Sequence, residues 1–154
     1  MYNYAPKNYN CPICLGIKGI ENSDSYLKKS DLVYRDKFIS VFVNSFFIGN
    51  NPGHVIVVPN DHYENLFDMP KKILHKLFEI SQKIAVAMKA AYKCKGITLL
   101  QNNEPSGGQH AFHFHLHIFP RYKDDQLHSF MDKKRLTTPK ERLPYAEKLK
   151  QFLK

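Results

Sequence analysis

Phe112-His113-Phe114-His115-Leu116-His117-Ile118-Phe119 sets three histidines at alternating positions in an apolar run. Successive side chains of a strand point to opposite faces. His113, His115 and His117 therefore share one face, and Phe112, Phe114, Leu116 and Ile118 pack on the other. A half-exposed strand that turns polar residues outward satisfies the pattern. Imidazoles grouped in this way also suit a nucleophile, a phosphate donor or a metal ligand. Gly107-Gly108-Gln109 lies just upstream, and Pro120-Arg121 closes the run.

The segments around this strand predict the rest of the fold. Leu32–Arg35 and Phe38–Val43 flank Asp36-Lys37, which reads as a tight hairpin. Val55 to Val58 reads as a short buried strand ending at Pro59. Asp68 precedes Met69-Pro70, a helix start with an acidic cap. Ile73, Leu74, Leu77, Phe78, Ile80, Ile84, Ala85 and Met88 follow at spacings of three and four. That is an amphipathic helix of about six turns ending near Lys95-Gly96. Ile97–Leu100 is a further strand, joined to the histidine strand by the loop Asn102 to Gly108. Thr138-Pro139-Lys140-Glu141 has the form of a capping box, but Pro144 would clash inside a helix begun there. The expectation is a short helix from Pro144 to Phe152. Strands joined by short turns, with one long helix between them, predict an α+β fold: an antiparallel sheet with helices on one face.

A chain of 154 residues is about one domain. The expected division is a domain over residues 1–125 and a basic C-terminal tail over 126–154. No apolar run approaches the roughly eighteen residues of a membrane span. Met1-Tyr2-Asn3-Tyr4 has neither a basic start nor an apolar stretch. Three cysteines, two of them clustered, argue against a disulfide framework. The expectation is a cytoplasmic protein with no membrane partner. The net charge of +9 is concentrated late, in Lys133-Lys134-Arg135, Lys140, Arg142, Lys148, Lys150 and Lys154. It permits attraction of anionic nucleotides or RNA, and no arginine–aromatic interleaving adds to that. Cys11 and Cys14, two residues apart, fit a zinc knuckle, a redox dithiol or two buried thiols. A redox pair normally opens a helix after a strand, and nothing before Cys11 reads as one. Cys94 reads as a small buried residue near the end of the long helix.

The pattern Gly-Gln-x-Ala-x-His-x-His-x-His-Ile-Phe-Pro-Arg over 108–121 resembles the histidine triad (HIT) family of nucleotide hydrolases and transferases. Pro52-Gly53-His54-Val55-Ile56-Val57-Val58-Pro59 is similar to a second landmark of that family, and Cys11-Pro12-Ile13-Cys14 to a third. The resemblance runs from about Cys11 to Arg121 and implies a five-stranded antiparallel sheet with a long helix and shorter ones. It implies that His115 attacks the α-phosphorus of a nucleotide conjugate, with His117, His54 and Gln109 as further catalytic residues. Asn44, Asn102, Gly108, Gln109, His115 and His117 are implied to hold a purine nucleotide. The nucleophile's near ring nitrogen is implied to bond a main-chain carbonyl. A structural zinc is implied on Cys11, Cys14, His62 and His113, with no magnesium essential, and a homodimer is typical of the family.

Three positions depart from the family pattern. Asn44 stands where many members carry an Asp, in a loop to His54 about two residues longer than usual that contains Phe46-Phe47. His110 replaces a Ser or Thr and suits a general acid. Glu104 replaces a Gly. Two classes of function follow. One is a nucleotidyl hydrolase or transferase acting on nucleoside phosphoramidates, diadenosine polyphosphates or a phosphate acceptor. The other is a nucleotide- or RNA-binding interaction protein with vestigial chemistry. A DNA-repair deadenylase would need a nucleic-acid module that the sequence does not show.

Overall fold

The computed structural model describes residues 2–153. Five strands form one antiparallel sheet: β1 (Leu32–Arg35), β2 (Ile39–Val43), β4 (Val55–Pro59), β5 (Gly96–Gln101) and β6 (Leu116–Arg121), in the order β1-β2-β4-β6-β5. The β1–β2 hairpin closes as predicted. Asp36 Oδ1 accepts from the amides of Phe38 and Ile39, both at 2.8 Å. β3 (Phe46–Ile48) leaves this sheet and pairs with β7 (Lys134–Leu136) as a separate two-stranded ribbon.

Alternation along the strands splits the core in two. Val41, Val43, Val55, Val57, Leu116 and Ile118 face α2 (Lys71–Tyr92), whose Ile73, Leu77, Ile80, Ile84 and Met88 are buried against them. Phe42, Ile56 and Val58 face the other way, onto Ile13 and Ile17 of α1 (Pro12–Lys18) and onto Leu27. Helices therefore cover both faces of the sheet and not one face as the sequence reading expects, with the longer ones on the first.

Four boundaries differ from the sequence reading. The histidine strand begins at Leu116, so His115 precedes it and His113 lies in the bend before that. Phe112 stays out of the core and meets Tyr9 edge-on at 5.6 Å. α2 starts without a side-chain cap: Pro70 holds the cap position and exposed Asp68 lies two residues upstream. α2 also stops at Tyr92, because Lys93 takes the left-handed cap at φ 56° and Lys89 Nζ satisfies the carbonyls of Cys94 and Lys95.

The C-terminal helix begins earlier than predicted. α4 spans Pro139–Gln151, and its capping box forms: Thr138 Oγ1 accepts from the Glu141 amide, and Glu141 Oε2 from the Thr138 amide. Pro144 is tolerated inside the helix. The carbonyl it would crowd belongs to exposed Lys140, while Arg142, Ala146 and Leu149 bury on the far side. The basic segment after residue 125, with α3 (Leu127–Phe130), β7 and α4, therefore packs against the sheet domain and does not trail from it.

Arg142 is the anchor of that segment. It is 1% exposed and grips fully buried Asp31 in a fork, Nε to Oδ1 and Nη2 to Oδ2, both at 2.8 Å. Nη1 also donates to the Thr137 carbonyl. Removing one partner of a buried pair strands the other charge in a low-dielectric interior. Arg142→Leu is expected to cost about 3–5 kcal/mol in urea unfolding, with Asp31→Leu on top recovering part of the loss. A single variant within 1 kcal/mol of wild type would show the pair to be dispensable.

Candidate nucleotide site and metal centre

Antiparallel pairing assembles the imidazoles. Ile56 of β4 lies opposite His117 of β6, which brings His54, one residue before β4, beside His117. Their ring centroids are 5.5 Å apart, and His115 meets His117 edge-on at 4.9 Å. Phe119 continues the same face and stacks on His54 at 4.3 Å. Gly53 is required just before His54. It has φ +78°, and a Cβ there would lie 2.2 Å from the Tyr145 ring.

His115 is oriented by its own chain. Its Nδ1 donates to the His113 carbonyl at 2.7 Å, which fixes the tautomer and leaves the Nε2 lone pair free. Burial pulls its pKa down, partly opposed by that carbonyl. His117 is pushed well down by burial and by its imidazole neighbours. His54 is fully buried, with its Nε2 bonded to Asn44 Nδ2 at 2.6 Å, and burial lowers its pKa to about 3. The Nδ1 atoms of His54 and His117 have no protein partner among the described residues. The three rings are therefore neutral at pH 7: one free nucleophilic nitrogen with uncharged neighbours beside it.

His115 and His117 form part of the wall of a cavity of about 540 Å³. Ile13, Leu27 and Ile56 supply an apolar side, while Asn44, Asn102, Gly108 and His110 line it with polar groups. Gly108 takes φ +84° where the loop returns, and Asn102 Nδ2 donates to its carbonyl at 3.3 Å. A cleft with one apolar side and a few convergent polar groups is the form of a small-molecule site.

Gln109 departs from its predicted role. It is 3% exposed and does not line the cavity. Its Nε2 donates to the carbonyls of Glu64 at 2.6 Å and Ala111 at 3.1 Å, and its Oε1 accepts from the Glu104 amide at 2.8 Å. All three of its bonds go to the backbone, so it acts as a strut for the loop. That loop contains Glu104 at φ 62°, ψ 157°, a conformation that favours glycine and costs about 1–3 kcal/mol. The strut is what holds it there.

Cys11, Cys14, His62 and His113 converge, with their donor atoms all within 4.8 Å of one another. Cys14 Sγ lies 3.3 Å from His62 Nδ1 and 3.4 Å from His113 Nδ1, and Cys11 Sγ lies 3.5 Å from His113 Nδ1. Donors on a tetrahedral ion with bonds of about 2.0–2.3 Å stand roughly 3.3–3.8 Å apart, so the group fits. His113 Nε2 donates to the Pro59 carbonyl at 3.0 Å, which presents Nδ1 as a lone pair. The Cys11 thiol is held far below its usual range, chiefly by the Cys14 hydrogen bond, against burial and with help from His113 and His62.

The HIT domain family model matches residues 27–124. The chain belongs to the HIT family. It is 38% identical over 94 residues to an uncharacterized HIT-like protein of Saccharolobus solfataricus, covering 61% of this chain and 66% of that one. It is 33% identical over 99 residues to the bis(5'-adenosyl)-triphosphatase of Saccharomyces cerevisiae, covering 64% and 47%. The chain thus spans just under two thirds, or less, of these curated relatives. A HIT-like protein involved in cell-cycle regulation from Bartonella henselae superposes with a TM-score of 0.78 at 28% identity, covering 94% and 97%. No helix among the described residues is long and apolar enough to cross a membrane.

The HIT match ends at residue 124, yet Met131, Asp132 and Lys134 also line the cavity. Sequence reasoning missed them. Its one signal was the long Asn44–His54 loop with Phe46-Phe47, which becomes β3 and pairs with β7.

His54 also gives this HIT domain a pH signature. Its folded pKa is depressed to about 3, while the unfolded histidine titrates near 6.5. Between those values the unfolded state binds a proton that the native state refuses. Stability is therefore full above about pH 6.5 and lost as pH falls toward 3. Urea midpoints measured from pH 7 to 4 should fall, and His54→Gln should flatten the slope by about one proton, about 1.4 kcal/mol per pH unit. An unchanged slope would sink this assignment.

Proposed function

We propose that this HIT protein is a nucleotide hydrolase or nucleotidyl transferase that cleaves conjugates of a purine nucleoside monophosphate at the α-phosphorus. The supporting observation is His115: Nδ1 is tied to the His113 carbonyl and the ring lines the cavity. Its Nε2 lone pair attacks phosphorus, and the bond to the leaving group breaks with the electron pair departing on that group. The imidazole becomes cationic, and the Nδ1–H···O=C bond meets the new charge. The leaving group takes a proton from solvent or from His110 on the cavity wall. Water then attacks phosphorus, the phosphorus–nitrogen bond breaks back onto Nε2, and the water's proton passes to solvent as the monophosphate leaves. A phosphate or sugar-phosphate acceptor replacing water makes the same step a transfer. One hard displacement becomes two easier ones.

His117 and His54 serve as neutral partners around the phosphate, and Asn44, Asn102 and the Gly108 backbone hold the nucleotide. Gln109 acts at one remove, through the loop it braces. Adenosine phosphoramidates and diadenosine polyphosphates are the substrates in view, the second class supported by the name of the yeast relative. No step is assigned to magnesium. Zinc on Cys11, Cys14, His62 and His113 is a structural cross-link and supplies no chemistry. The reading includes a homodimer, for which exposed Phe78 and Val86 on α2 and Leu99 on β5 offer apolar surface. A cytoplasmic setting is part of the same proposal.

The test is turnover followed by mass spectrometry on an adenosine phosphoramidate, diadenosine polyphosphates and the guanosine counterparts. Release of a nucleoside monophosphate is expected, and the best compound names the branch. No release from any of them would overturn the reading and favour a binding protein.

A further inference from the structure

The β3–β7 ribbon is a fixed wall of the cavity. Phe46 pairs with Leu136, Phe47 with Arg135 and Ile48 with Lys134. Thr137 locks the ribbon at its end, since its amide and its hydroxyl both donate to the Ser45 carbonyl, at 2.9 and 2.7 Å. The turn after β3 is in direct contact with the end of α3, where a Cβ on Gly49 would lie 2.7 Å from Phe130 Cβ. The buried Arg142–Asp31 pair holds α4 behind them. This wall carries Asp132 and Lys134 into the lining of the cavity, from chain beyond the HIT match.

Asp132 is the one carboxylate among the lining residues, and it is exposed to the cleft. Lys134, two residues on, stands over the Phe46 ring with its ammonium 5.8 Å from the centroid. Another polar group of the lining, Asn44, is already engaged. Asn44 Nδ2 donates to His54 Nε2 at 2.6 Å and to the Phe46 carbonyl at 3.3 Å. That leaves Asn44 a single acceptor oxygen.

A ribose presents two hydroxyl donors side by side, and a carboxylate offers two acceptor oxygens in one plane. Hydrogen bonds to an ionised acceptor are roughly twice as strong as neutral ones. We propose that Asp132 is a specificity-determining residue that accepts the vicinal 2′- and 3′-hydroxyls of the bound nucleotide. The inference rests on the nucleotide reading above. It makes the segment that leads into β7, beyond the matched residues, the part of the molecule that tells a ribonucleotide from its deoxy analogue.

Calorimetric titration of the full chain with AMP and with 2′,3′-dideoxy-AMP tests it. Wild type should bind AMP about 10- to 100-fold more tightly, the worth of one to two charge-assisted hydrogen bonds at a partly wet site. Asp132→Ala should bind the two ligands within twofold of each other, with affinity for the dideoxy compound unchanged. A variant that keeps the wild-type ratio overturns the proposal. So does one that loses discrimination between AMP and IMP instead, because the carboxylate would then read the base. If wild type binds neither AMP nor the dideoxy compound, the nucleotide reading itself falls, and the proposal with it.

Discussion

His115→Ala should reduce turnover of every substrate by at least about four orders of magnitude, as loss of a covalent nucleophile does elsewhere. That corresponds to about 5.5 kcal/mol of barrier. The size follows from the route. Without Nε2 the reaction must proceed by direct attack of water, and the remaining imidazoles and amide contacts can only steady the phosphate. The substitution should leave the fold intact. His115 is half-buried beside the cavity and outside the core clusters, and its one protein bond is to the carbonyl of His113, two residues earlier. Thermal midpoints of the two proteins should therefore lie within a few degrees. A second readout does not depend on rate. Acid-quenched wild type should gain the mass of one nucleoside monophosphate during turnover, and the variant should not. Equal turnover, or an adduct surviving in the variant, would place the chemistry elsewhere.

Much of this site was legible because strands and helices carry short periods. Alternation through Phe114, Leu116 and Ile118 sends those residues to the α2 face and His115 and His117 to the cavity. The three-and-four spacing from Ile73 to Met88 marks the buried stripe of α2, with Phe78 the exception, since it faces solvent. The bond from Nδ1 to a carbonyl came from the family resemblance and is present at 2.7 Å. His62 and His113 as partners of Cys11 and Cys14 also came from the resemblance, since no local spacing links residues so far apart in the chain.

What was not legible depends on long-range contacts between unpatterned segments. β3 and β7 are three residues each, and Lys134-Arg135-Leu136 carries no strand signal of its own. Pairing supplied by the fold makes the ribbon. Pro144 argued against a helix from Thr138 on local sterics, but the capping box and the buried Arg142–Asp31 fork outweigh one lost backbone bond. Gln109 sits in the signature yet spends its amide on three backbone groups. A motif fixes the residue type at a position, and only the fold decides whether that residue touches the ligand or holds the loop that does.

Removal of metal from the Cys11, Cys14, His62 and His113 group should lower the thermal midpoint by more than about 10 °C. Structural zinc on such donors carries about 10–16 kcal/mol at neutral pH. The sheet and α2 share an apolar core of their own, away from these four residues, so only part of that returns as global stability. Half is enough, at about 2–4 °C per kcal/mol for a domain of this size. The loss should be local first. Cys11 caps α1, with its sulfur accepting from the Cys14 amide at 3.3 Å, and α1 buries Ile13 and Ile17 against Phe42, Ile56 and Val58. Without the ion, two thiols and two imidazoles crowd together with nothing between them, and α1 loses its tie to the sheet at Pro59 and His113. Elemental analysis should find one zinc per chain in wild type and almost none in Cys14→Ala. Hydrogen exchange after chelation should speed up in residues 11–19 before it does so in α2. Pro12 and Ile13 also line the cavity, so chelation should weaken AMP binding while Asp132→Ala leaves zinc content untouched. A wild-type chain that holds no metal after purification in zinc, or a midpoint unmoved by chelation, would reduce the four residues to a cluster of thiols and imidazoles without an ion.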